Sequence, residues 1–135
     1  MLDRLKSTKL TEFTDIGIGL LVLRVVASFA MIYGHGWGKL MNVLNGNFQF
    51  ADPIGLGPTI SLILAAFAEA ICAFLVLVGY YARAAALVLV INMSVAFFFV
   101  HLFNDPFANM EKALLFLAIY LTIFLLGPGK YSIDS

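Results

Sequence analysis

The residues of this chain that could carry chemistry sit where apolar residues surround them. Arg24, Glu69 and Asn92 fall near the middle of long apolar runs, and His35, Lys39, His101 and Glu111, with Asp105 beside them, fall near run ends. Arg24 and Glu69 are opposite charges at closely matched depth, so each is expected to neutralise the other, with Asn92 at the same level. That pair reads either as a structural lock on helix register or as part of a proton relay or ligand anchor. The second group has different chemistry. A histidine beside a carboxylate exchanges protons near neutral pH, and two histidines at one height can also ligate haem or a metal.

Spacing says which of these side chains share a face. Arg24, Ser28, Met31 and His35 follow i, i+4, i+7, i+11, and Arg83, Ser94 and His101 repeat the idea farther on. Turning both faces inward would build a polar cleft, floored by Arg24 and Glu69 and topped by His35, His101, Lys39 and Glu111. Tyr33, Trp37 and Phe98 are aromatic candidates to line it around a flat, lipid-soluble ligand such as a quinone. Haem held by the two histidines is the less favoured alternative. Against the aromatic reading, thirteen phenylalanines are also what a lipid-facing chain uses. Gly34 and Gly38 form a small-xxx-small pair suited to close helix packing, and Gly36 between them removes bulk beside His35.

The elements that must position these residues are helices. Four apolar segments, about 16–40, 59–78, 82–103 and 110–126, are separated by Gly55-Leu56-Gly57-Pro58, Gly79-Tyr80-Tyr81, Asn104-Asp105-Pro106 and a closing Gly127-Pro128-Gly129. Each is near the ~20 residues that cross a bilayer as a helix. None shows the alternation of a membrane β-strand. The expected fold is an all-α membrane protein, a four-transmembrane-helix antiparallel bundle, with short segments at 1–15 and 127–135. Arg24 lies within the first run, which continues well past any cleavage position, so that run is expected to be retained as a span and not removed as a signal peptide.

Composition agrees. The 135 residues are 62% hydrophobic and 12% charged, against roughly 25% charged in soluble domains. Net charge is zero and no basic stripe marks a nucleic-acid surface, so membrane lipid is the expected environment. Cys72 is the only cysteine, which excludes an internal disulfide and CxxC chemistry. Arg4, Lys6, Lys9, Arg83 and Lys130 fall on the terminal side and Lys39 and Lys112 on the other. The positive-inside rule then puts both termini in the cytoplasm.

Leu23-Arg24, His35-Gly36-Trp37-Gly38-Lys39-Leu40, Ala68-Glu69, Tyr81-Ala82-Arg83-Ala84-Ala85-Ala86, Asn92-Met93 and Gly127-Pro128-Gly129-Lys130-Tyr131-Ser132, in this order, resemble the DoxX family. The resemblance implies a four-helix protein of the bacterial inner membrane. It also implies a link to membrane redox complexes and quinone-coupled oxidation. Three functions follow as expectations: a quinone-interacting subunit of a membrane oxidoreductase system, a non-catalytic membrane scaffold or partner subunit, and a small lipid-ligand binder or carrier. A homo-oligomer or a membrane redox complex is the expected assembly.

Overall fold

The computed structural model describes residues 16–101 and 106–134, apart from the side chains of Val100, His101 and Asn109. Among these residues the chain is helical and has no strand. Helix α1 spans Ile16–Leu44 and α2 spans Pro58–Val78. Helix α3 runs through Ala82–Val95 and continues into the wider turn Ala96–His101. Helix α4 is Phe107–Leu126. The first two, and the described part of α3, are long and apolar enough to cross a membrane. With 20 residues, α4 has the length to match.

Local chemistry sets the ends. Gly57, at φ 98°, delivers the chain to Pro58, which opens α2 where a missing N–H is harmless. Gly79 closes α2 in the left-handed conformation. Helix α4 starts at Phe107, earlier than the apolar run at 110 suggests, because Pro106 precedes it and fits the start of a helix. At the other extreme α1 outruns its apolar stretch, carrying Asn42 in about one further turn to Leu44.

Consecutive helices pack as antiparallel neighbours, and α4 returns to α1. Their shared interior is built largely from small residues. Ala65, Ala66, Ala68, Ala70 and Ala73 of α2 are buried with Ala82, Ala85 and Ala86 of α3. Small side chains allow backbones to approach, the main source of packing energy where lipid is as apolar as the core. Cys72 packs among them, 2% exposed. Val22, Val26, Phe29, Phe74 and Leu125 point outward, as a lipid-facing surface requires. The chain is an all-α membrane bundle.

Each of the first three helices contains one π-helical segment: Ile32–Gly36, Phe67–Cys72 and Ala96–His101. A π turn spends an extra residue per turn and rotates everything beyond it, and such turns recur at functional sites. Here they contain His35 and Glu69 and follow Asn92.

The last residues fold back on the bundle. Ile133 and Asp134 donate backbone N–H bonds to the carbonyls of Val78 and Gly79, at 3.2 and 2.8 Å. The Asp134 carboxylate accepts from the Tyr81 and Ala82 amides, both at 2.9 Å. It thereby caps the start of α3 from a distant part of the chain.

Candidate functional site

Glu69 is the centre of the site. It lies in the π segment of α2 with its side chain 5% exposed, and the Lys39 ammonium binds its Oε1 at 2.5 Å. The Asn92 amide donates to Oε2 at 3.0 Å. Three helices thus converge on one carboxylate, with Lys39 from α1, Glu69 from α2 and Asn92 from α3. A lone charge at this depth costs roughly 2.5–3.5 kcal/mol, which explains why Glu69 is paired and bonded at both oxygens. Among the described residues no buried side-chain polar atom lacks a partner.

The close approach of α1 and α2 depends on Gly36. A Cβ there would collide with the backbone carbonyl of Glu69. Lys39 is one turn farther along α1, and its flexible stem carries the charge back to the carboxylate. The expectation of an Arg24–Glu69 pair is therefore corrected. Arg24 is 1% exposed but lies opposite Val76, roughly 10 Å along α2 from Glu69 at 1.5 Å per residue. Its guanidinium donates to the carbonyls of Val76 (3.0 Å), Leu77 (3.1 Å), Pro128 (2.6 Å) and Tyr131 (3.1 Å). The last carbonyls of a helix have no partner within it, and in a membrane interior water does not supply one. Arg24 fills that need and ties the tail to α2. The polar interior has two layers, but Glu69 and Asn92 belong with Lys39 and not with Arg24.

Two cavities meet at the Lys39–Glu69 pair. The first, about 470 Å³, lies between α2 and α3 under the 45–57 loop, and Phe50, Pro53, Leu64, Phe67, Ile91 and Val95 give it mostly apolar walls. Lys39, Glu69, Asn92 and Ser61 are its polar groups. Lys39 Nζ also stands 5.8 Å from the centre of the Phe50 ring, within cation–π range. The second cavity, about 450 Å³, is bounded by Met31, His35, Met93, Lys112 and Phe116, again with Lys39 and Glu69. His35 sits edge-on to Phe116, ring centres 5.8 Å apart.

Several expected site residues take other positions. Tyr33, Trp37 and Phe98 are 80%, 57% and 51% exposed and line neither cavity. Helix α1 turns Gly36 and Lys39 inward, so Tyr33 and Trp37, one turn apart, must look outward; Tyr33 stacks on Phe29 instead. Glu111 is exposed, and its neighbour Lys112 lines the second cavity in its place. The His101 side chain lies outside the described residues, as does Asp105. Gly34 and Gly38 have no atom within 4 Å of a built Cβ, so neither packs against another helix of this chain. The i, i+4, i+7, i+11 face of α1 does turn inward, with Arg24, Ser28 and Met31 buried and His35 half-buried. Ser28 hydrogen-bonds Tyr120 of α4 at 3.2 Å. The role of Tyr120 was visible only as one hydroxyl in an apolar run. The cavity walls from Phe50 and Pro53 had no signal in the loop sequence.

Comparison with known proteins agrees with this architecture. An uncharacterised protein of Haemophilus influenzae is 29% identical over 126 residues, covering 86% of this chain and 88% of the relative. No solved structure matches. The DoxX family model matches residues 19–102, the stretch that holds Arg24, His35, Lys39, Glu69 and Asn92. With that match over more than half its length, the chain belongs to the DoxX family.

Proposed function

We propose that this protein is a quinone-interacting subunit of a membrane oxidoreductase system, and that it holds the quinone head in the cavity between α2 and α3. One observation carries the reading: a mostly apolar cavity of about 470 Å³ whose polar lining includes the buried Glu69 carboxylate paired with Lys39, and the Asn92 amide. Ligand cavities of roughly 300–1,000 Å³ with apolar walls and a few convergent polar groups suit a drug-sized ring compound. A quinone has flat apolar faces and carbonyl acceptors, so Lys39 and Asn92 supply the donors and Phe50 and Phe67 the apolar contact. When bound, a quinone supplies two-electron, two-proton chemistry, its electrons coming from a redox-active partner subunit. The protein's own residues bind the head, keep it oriented and hold a proton at the Glu69 carboxylate. His35, on the far side of that carboxylate, belongs to the proton supply and not to the head contact.

The same reading gives the location: the bacterial inner membrane, with both termini cytoplasmic, argued from Arg83 and Lys130 with the basic N-terminal segment.

Equilibrium binding of a radiolabelled short-tailed quinone to the purified protein in lipid nanodiscs, corrected for uptake by protein-free nanodiscs, tests this. Saturable binding that is lost in Lys39→Met and Glu69→Gln, both checked for helicity and monodispersity, is the expected result. Equal binding by the two variants would refute the site.

One observation favours a second reading, a non-catalytic partner subunit. Gly34 and Gly38 leave an open groove on the outer face of α1, beside exposed Tyr33 and Trp37. A neighbouring transmembrane helix fits there, from a second copy or a redox partner.

A further inference from the structure

The two cavities face different surroundings. The first reaches the bundle surface between α2 and α3 at Leu64, Phe67 and Ile91, which are 49%, 44% and 57% exposed. These residues lie roughly 9–14 Å inside their helices at 1.5 Å per residue, a depth occupied by hydrocarbon, while the outer end of the cavity is covered by the apolar loop residues Phe50, Ala51, Pro53 and Ile54, of which Ala51 and Ile54 are exposed. The second cavity reaches the surface at Ala108 and Lys112, both exposed and both in the opening turns of α4. An exposed lysine at that level sits at the membrane–water boundary. Lys39 and Glu69 line both spaces, so their ion pair is part of the wall between them.

We propose that the second cavity is an aqueous vestibule that delivers protons to a ligand entering the first cavity sideways from the bilayer, with Glu69 as the crossing point. A proton from vestibule water is taken up on a ring nitrogen of His35. It passes through cavity water to the Glu69 carboxylate, and from there to an oxygen of the ligand as electrons from the redox-active partner subunit reduce it and make that oxygen basic. Glu69 returns to its carboxylate form, and His35 is reprotonated from the vestibule, so the protein ends each transfer unchanged. Lys39 holds the carboxylate in the wall, and Lys112 repels other cations from the mouth without blocking neutral water. The transfer step rests on the quinone reading; the separate access of the two cavities does not.

Cysteine accessibility separates these claims. In a Cys72→Ser background, single cysteines replace Ala113, buried in the wall of the vestibule, and Ala65, buried in the wall of the other cavity. Membranes are treated with a charged, membrane-impermeant thiol reagent on both faces, then with an uncharged lipid-soluble one. The expected result is complete labelling of Ala113→Cys by the charged reagent, and labelling of Ala65→Cys by the lipid-soluble reagent alone. Adding Lys39→Ala should open the wall and make Ala65→Cys reactive to the charged reagent. Labelling of both positions by the charged reagent in the parent would mean one common chamber and overturn the proposal. So would failure of the charged reagent to label Ala113→Cys. Absence of saturable quinone binding by the parent protein in nanodiscs, with this labelling pattern intact, would overturn the proton-delivery step and leave the partition standing.

Discussion

At the scale of single residues, two positions hold the interior together in opposite ways. Gly36 acts by what it lacks. Gly36→Ala pushes a methyl into the Glu69 backbone, and overpacking of that kind costs roughly 1–3 kcal/mol. Thermal unfolding in detergent should show a clear drop in midpoint, with weakened quinone binding because the helix that carries Lys39 must shift. Gly34→Ala, facing open space, should leave the midpoint unchanged. Arg24 acts by what it supplies. Arg24→Met would remove the side-chain donor from the carbonyls of Val76, Leu77, Pro128 and Tyr131; Val76 would keep only the bond from the Gly79 amide, and each buried carbonyl left unsatisfied costs about 1–3 kcal/mol. Arg24→Met is expected to accumulate poorly in membranes, and Arg24→Lys, with a point charge in place of a planar fork, should recover only part of that loss. Normal levels of Arg24→Met would show that the carbonyls find other partners.

At the scale of elements, the tail and the π turns decide where side chains end up. Asp134 caps α3, and Arg24 grips the tail carbonyls before it, so the closing segment serves as a clasp on the α2–α3 turn. Truncation after Leu126 should destabilise the bundle and make the α2–α3 turn sensitive to protease, whereas Asp134→Ala should show a smaller effect, about 1 kcal/mol for a lost cap. These elements also explain how much was legible in the sequence. The helices were readable because apolar runs of membrane length end at glycine and proline. The inward face of α1 was readable because Arg24, Ser28 and Met31 keep helical spacing. The partner of Glu69 was not, because depth counted from run ends assumes uniform helices and side chains that stay level. Three π turns break the first assumption, and the reach of Lys39 breaks the second. The aromatic lining failed for a related reason. Tyr33 and Trp37 are on the face of α1 opposite Gly36, and which face turns inward was decided by one glycine, beneath the resolution of composition.

At the scale of the whole molecule, one buried carboxylate joins three helices and lines two cavities. The proposed docking role of the open face at Gly34 and Gly38 is testable at this scale. Gly34→Leu should preserve monomer stability and quinone binding while dissociating any complex that copurifies, as read by native mass spectrometry; an intact complex would remove the docking role from that face. The central claim concerns the cavity between α2 and α3, and photo-crosslinking tests it most directly. A quinone carrying a photoreactive group on its head, irradiated with the protein in nanodiscs, should label peptides from α2 around Leu64–Glu69 and α3 around Ile91–Ala96. Unlabelled quinone should compete, and Glu69→Gln should abolish the labelling. Adducts confined to the outer aromatic face at Tyr33 and Trp37, or labelling that Glu69→Gln leaves intact, would contradict the account.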